Sequence, residues 1–150
     1  MPSRYYEDFE EGAVLTYGPR TMTREEIIAF AAEYDPQPMH LDEEAAKKTM
    51  LGGLGASGYH TCCFMFRMTY DGFLADSSSM GSPGIDEVKW LQPVRPGMPL
   101  TLRLTIVEKR TSKSRPEMGF VRLKSELLDE RQMAVIEQTS TVILGLRPAA

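Results

Sequence analysis

The stretch Tyr59-His60-Thr61-Cys62-Cys63-Phe64-Met65-Phe66-Arg67-Met68-Thr69-Tyr70 decides the fold. It is apolar on almost every side, with Arg67 its only residue certain to be charged. A helix that is apolar all round belongs inside a protein, and a dozen residues fall short of the roughly 18 to 20 that cross a bilayer. The chain after this helix changes character. Residues 86–90 predict a strand, closed by the turn Gln92-Pro93-Val94-Arg95-Pro96-Gly97. Leu100, Leu102, Leu104 and Ile106 then alternate with Thr101, Arg103 and Thr105, the period-two pattern of a half-buried strand. Residues 120–128 and 133–144 predict two more long strands, joined by the polar hairpin Asp129-Glu130-Arg131-Gln132. One buried helix followed by long antiparallel strands implies an α+β fold with the sheet laid on the helix.

Ahead of the helix, Val14-Leu15-Thr16-Tyr17 reads as a short strand ending at Gly18-Pro19. Thr23 and Glu26 have the spacing of a capping box. Ile27, Ile28, Ala31 and Ala32 follow at helical spacing, and the helix should end near Tyr34, because Pro36 and Pro38 forbid its continuation. Residues 43–48 form a second short helix, with acids early and lysines late as the helix dipole favours. A glycine-rich stretch, Leu51-Gly52-Gly53-Leu54-Gly55-Ala56-Ser57-Gly58, leads into the buried helix. Residues 77–84 are biased toward serine and glycine and read as a loop. With 150 residues and neither repeat nor linker, residues 1–150 are expected to form one domain.

The formal net charge is −4, with both signs mixed along the chain. Nothing in that pattern suggests the concentrated basic face a nucleic-acid binder needs, and no nucleic-acid partner is expected. Local basic residues such as Arg95, Arg110 and Arg115 remain able to meet the phosphates of a CoA-type ligand, although solvated surface charge is their commoner role. The N-terminus, MPSRYYEDFEEG, lacks the apolar region of a secretory signal, and no segment is long and apolar enough to span a membrane. The only cysteines, Cys62 and Cys63, are adjacent and fit neither a bridge nor a zinc site. They read as buried free thiols of a protein in the reducing cytoplasm.

The segment most loaded with chemistry is Ala32-Glu33-Tyr34-Asp35-Pro36-Gln37-Pro38-Met39-His40. Two prolines make it a stiff loop with an acid at one end and an imidazole at the other, and ordered groups are what catalysis requires. Fully extended, that interval would span roughly 16 Å, so the loop must curl if both side chains are to reach one water. The chain has two histidines, so an imidazole base is His40 or His60. His60 lies in the first turn of the apolar helix and reads as a packed, hydrogen-bonded core residue.

This stretch resembles the hydratase signature of the MaoC-like dehydratases and (R)-specific enoyl-CoA hydratases, Gly-Asp-x-Asn-Pro-x-His. Asp35, Pro38 and His40 match it, while Tyr34 replaces the glycine and Gln37 the asparagine. The resemblance continues through Gly52-Gly53, Ala56-Ser57-Gly58-Tyr59-His60-Thr61, the run from Gly81 to Trp90, and Pro93-Val94-Arg95-Pro96-Gly97. It implies a hot-dog fold, a curved antiparallel sheet wrapped around one long helix, paired as a homodimer or a higher assembly of dimers. It also implies a hydro-lyase that adds water across a trans-2-enoyl thioester carried by CoA or an acyl carrier protein, giving the (R)-3-hydroxyacyl product. No metal and no other cofactor is implied. Asp35 and His40 would share the water, and the Gly58 N–H, at the start of the helix, would face the thioester oxygen. Ser57, Gln37 and Tyr59 would contact substrate, with Ser57 also capping the helix. Gln37 is expected to orient Asp35 differently, and Tyr34 to narrow the acyl pocket. The methionines and phenylalanines of the helix read first as core. Two other functions suit the same fold. A thioesterase would want a carboxylate on the central helix, which residues 59–70 lack. A binding module that holds acyl thioesters without turning them over would explain the departures at Tyr34 and Gln37.

Overall fold

The computed structural model describes residues 1–149. Strand β1 (Val14–Arg20) is followed by helices α1 (Arg24–Tyr34), α2 (Glu43–Lys47) and α3 (Gly58–Thr69). Strands β2 (Ser79–Trp90), β3 (Leu100–Thr111), β4 (Met118–Leu128) and β5 (Ala134–Gly145) complete the chain. The strands form one antiparallel sheet in the order β1-β3-β4-β5-β2, with α3 across its concave face. This is the hot-dog arrangement that the family resemblance implies. Each short helix has a cap that takes one of its unpaired N–H groups. Thr23 accepts from the Glu26 N–H at 3.1 Å, Asp42 from the Ala45 N–H at 2.8 Å, and Ser57 from the Tyr59 N–H at 3.3 Å. The reciprocal half of the box at Thr23 is not formed.

The core lies between α3 and the sheet. Leu100, Leu102, Leu104 and Ile106 of β3 point inward and are fully buried, as their alternation predicts. They meet Leu127 of β4, Ile136 and Leu144 of β5, and Phe64, Met65 and Met68 of α3. Each such side chain contributes about 1.5–3 kcal/mol through apolar burial.

Several expectations are corrected. Residues 79–84 are strand rather than loop. The pairing of β2 with β5 slips at Ser79/Gly81, Gly81/Gly84 and Ile85/Glu87, and Gly81 and Gly84 sit at φ +116° and +154°, open only to glycine. The small residues are there to bulge an edge strand. Helix α3 is not covered all round, because Tyr59, Cys63, Phe66, Arg67 and Tyr70 form an exposed stripe. For the same reason the thiols are not both buried: Cys62 is half-buried and Cys63 exposed, and neither is bridged.

Arg95 was expected at the surface or on a ligand phosphate. Instead it ties down the glycine-rich stretch, donating to the carbonyls of Gly53 (2.7 Å), Leu54 (3.3 Å) and Leu51. Arg95→Ala should therefore lower stability by about 2–4 kcal/mol, since hydrogen bonds from a charged donor contribute about 1.5–3 kcal/mol each and the carbonyls would lose their partner. The midpoint of urea unfolding is the measurement, and an unchanged midpoint would contradict this role.

Candidate active site

Helix α1 ends at Asp35, whose N–H closes the last turn on the Ala31 carbonyl at 2.8 Å. Pro36 and Pro38 prevent further helix, and the chain turns through a single 3-10 turn, Pro38–His40. The His40 N–H bonds the Gln37 carbonyl at 3.0 Å. The curl brings His40 Nε2 to 3.4 Å from Asp35 Oδ2, with both side chains largely buried.

Each group is held by its own partners. His40 Nδ1 lies 2.7 Å from the Gly55 carbonyl oxygen, which only accepts. Nδ1 therefore carries the proton, and Nε2 is left as a lone pair facing the carboxylate when the ring is neutral. Asp35 Oδ2 accepts from the Ser57 hydroxyl at 2.6 Å, and Oδ1 from the Gln37 amide at 2.7 Å. These two bonds, the Ser57 one foremost, and nearby His40 hold the Asp35 carboxyl below the usual carboxylate range in spite of its burial. Gln37 thus supports Asp35 directly, as its extra methylene lets it reach back across Pro36.

The sign of the pH dependence follows. The lowered pKa gives a stabilising contribution that is complete above the ordinary value near 3.8 and is lost as pH falls through the lower folded value. Ser57→Ala removes the largest cause, so the Asp35 pKa should rise toward 3.8, and the stability that the shift contributes above that pH, with the acid dependence it causes, should shrink. The lost cap should cost about 1 kcal/mol besides. Carboxyl-carbon NMR titration of Asp35 checks this, and an unmoved pKa would refute the assignment.

Ser57 joins this pair to α3. The Gly58 N–H, first in the helix, has no acceptor among the described residues, whereas its carbonyl accepts from the Trp90 indole N–H at 2.9 Å. A Cβ at Gly58 would stand 2.6 Å from Trp90 Nε1 and 2.7 Å from Cε2, so glycine is required here by the indole packed against it. Asp35, Gln37, His40, Gly58, Tyr59 and Thr61 line one open cleft with Met50, Leu51, Trp90 and Val94, of about 530 Å³. Ser57 lies behind the cleft wall, fully buried, and acts through Asp35. Tyr59 lies at the rim, 68% exposed and edge-on to Trp90.

Several expected contributors lie elsewhere. Tyr34 does not line the cleft; it is exposed and tilts against Phe30 at 5.2 Å, so it does not narrow a pocket in this chain. His60 stacks on Phe30 at 4.5 Å, packed as expected, but its buried Nδ1 has no hydrogen-bond partner, and burial lowers its pKa. Arg110 lies over Phe120, and Arg115 pairs with Glu117, both away from the cleft. The reading of the sequence missed the roles of the Gly55 carbonyl and of Trp90. A glycine heading a helix, with an aromatic residue in the same set of motifs, was the available signal for the second. Among the described residues no helix is long and apolar enough to cross a membrane, and no three of His, Cys, Asp and Glu are grouped to hold a metal.

Comparison with known proteins bears on the whole chain. The family model described as MaoC like domain matches residues 8–126. A crystal structure of the MaoC-like dehydratase from Rhodospirillum rubrum is similar at 36% identity and a TM-score of 0.89, covering 97% of this chain and 99% of that one. A structure described as a monoamine oxidase regulatory protein from Archaeoglobus fulgidus is similar at 29% identity and a TM-score of 0.84, covering 96% and 95%. Bacillus subtilis YdeM, an uncharacterized protein, is 27% identical over 139 residues, 92% of this chain and 96% of its own length. With a match across most of its length and a hot-dog sheet around α3, this chain belongs to the MaoC-like family.

Proposed function

We propose that this chain is a hydro-lyase that reversibly hydrates a trans-2-enoyl thioester, carried by CoA or an acyl carrier protein, to the (R)-3-hydroxyacyl thioester. The observation that carries the reading is the 3.4 Å pairing of His40 Nε2 with Asp35 Oδ2 in the lining of an open cleft. With Nδ1 protonated and Asp35 ionised, both facing atoms are acceptors. One water can donate a hydrogen to each and keep a lone pair for the substrate. In hydration, that oxygen bonds to C3 while Nε2 takes one water proton. The C2–C3 π electrons move toward the thioester, and the oxygen there gains negative charge opposite the Gly58 N–H. The imidazolium, stabilised by the Asp35 carboxylate, then returns its proton to C2, so the elements of one water have been added. Dehydration is the same path reversed.

The name of the Rhodospirillum relative, a dehydratase, supports this reading. So does the exposed stripe of α3 beside the unpaired edge of β2, with Phe66 58% and Ile85 57% exposed. An open edge beside such a patch favours a second copy of the chain, and the working form proposed is a dimer in the cytoplasm, each chain one domain. The test is loss of the conjugated enoyl-thioester absorbance over a panel of chain lengths, with the product identified by mass. Saturable binding without turnover across the panel would put an acyl-thioester-binding module in the enzyme's place. Release of free thiol would indicate a thioesterase.

A further inference from the structure

Two acceptors compete for the single proton of a neutral His40 ring. Nδ1 lies 2.7 Å from the Gly55 carbonyl oxygen, and Nε2 lies 3.4 Å from the Asp35 carboxylate. A carboxylate is the stronger acceptor, so the proton stays on Nδ1 only while the Gly55 carbonyl is kept close. A ring with its proton on Nε2 would donate to Asp35 and present no lone pair to a water between them. Whatever fixes the Gly55 carbonyl therefore decides whether the pair is ready to take a proton.

From Gly53 to Ala56, three consecutive peptide groups are each held at both ends. The Gly53 carbonyl accepts from Arg95 Nη1 at 2.7 Å, and the Leu54 N–H donates to Glu43 Oε2 at 3.1 Å. The Leu54 carbonyl accepts from Arg95 at 3.3 Å, and the Gly55 N–H donates to the Met39 carbonyl at 3.3 Å. The Gly55 carbonyl takes the His40 proton, and the Ala56 N–H donates to the Val94 carbonyl at 2.9 Å. The bonds to Met39, His40 and Glu43 thus tie the segment that carries the imidazole to the glycine-rich stretch. A Cβ at Gly53 would stand 3.2 Å from Glu43 Oε1 and 3.3 Å from Arg95 Nη1, so both side chains pack close on this glycine. Glu43 does not line the cleft. Among the described residues its carboxylate accepts one hydrogen bond, from Leu54, and its pairing with Arg24 is longer, at 3.7 Å.

We infer that Glu43 is a positioning residue: through the Leu54 N–H it holds the glycine-rich stretch where the Gly55 carbonyl keeps the His40 proton on Nδ1. Its part in turnover rests on the hydratase reading above, whereas its part in setting the tautomer does not. Without this strut the carbonyl is free to withdraw, and the proton passes to Nε2 and the bond to Asp35.

The test reads Glu43→Ala, Glu43→Gln and Arg24→Gln by ring-nitrogen NMR of His40, at a pH where the ring is neutral, and by kcat and KM on one enoyl-CoA. Wild type should carry the proton on Nδ1, and a wild-type ring protonated on Nε2 would overturn the inference at once. Glu43→Ala should populate the Nε2–H form and lower kcat about tenfold to a hundredfold, the scale of a misplacement of about 1 Å. KM should move by less than about threefold. Glu43→Gln, whose amide oxygen can accept from Leu54, should restore the tautomer and most of kcat. Arg24→Gln removes the ion pair, leaves that bond in place, and should match wild type in both readouts. Should Glu43→Ala not fold, Glu43→Asp, too short to reach Leu54, takes its place with the same expectations. A variant with a lower urea midpoint but an unmoved ring and wild-type kcat would make Glu43 merely structural and overturn the inference, as would a shifted ring with unchanged kcat. A ring shifted in Glu43→Ala while wild type hydrates nothing would sustain the control of the tautomer and defeat the hydratase reading. Hydration by wild type with ring and kcat unmoved in Glu43→Ala would do the reverse.

Discussion

Asp35→Asn and His40→Gln should each lower kcat for enoyl-thioester hydration by about 10² to 10⁴, the range for general acid–base groups. The two losses have different causes. His40→Gln removes the lone pair proposed to take the water proton, yet leaves an amide able to bond the Gly55 carbonyl. Asp35→Asn keeps the shape but loses the negative charge proposed to steady the imidazolium. It also turns one acceptor of the water into a donor competing with the Ser57 and Gln37 donors. Neither change touches the cleft walls formed by Trp90 and Leu51, so KM should move by far less than kcat. A variant that kept wild-type kcat would remove its residue from the mechanism.

Gly58→Ala should be nearly as damaging, for a reason of packing. The new methyl would overlap the Trp90 indole, displace it, and break its hydrogen bond to the Gly58 carbonyl. Overpacking of this kind costs about 1–3 kcal/mol in stability. A shift of about 1 Å in the Gly58 N–H, proposed to meet the thioester oxygen, is enough for roughly 10²-fold in rate. Trp90 is the only tryptophan in the chain, so its fluorescence reports the displacement directly. Gly58→Ala/Trp90→Phe, with a smaller ring, should recover part of the lost activity. Wild-type kinetics and emission in Gly58→Ala would show that the indole does not fix this position.

The fold was legible where one physical signal dominated. The alternation from Leu100 to Ile106 could only be a strand with one face buried, and the two prolines after Asp35 could only end a helix. It was less legible where tertiary pairing overrides composition. Residues 79–84 look like a loop because serine and glycine favour one, but the ladder to β5 and two left-handed glycines make them a bulged edge. The α3 stripe was hidden by the same limit, since an apolar residue facing solvent and one facing a core read alike. Of the candidate site, Asp35 and His40 could be named from the family resemblance, and Ser57 also as the cap of α3. The bond from Ser57 to Asp35 joins residues 22 apart and needed the fold. So did the Gly55 carbonyl that sets the His40 tautomer, because a backbone atom leaves no mark on a sequence.

The central claim is that Asp35 and His40 act on one water as a single unit. The most direct test is a double-variant cycle: kcat of wild type, Asp35→Asn, His40→Gln and the two combined, on one enoyl-CoA. If they share the water, the double variant should be little worse than the poorer single one, because the unit is already broken. If the two losses multiply, the residues act independently, and the shared water between Nε2 and Oδ2 is contradicted.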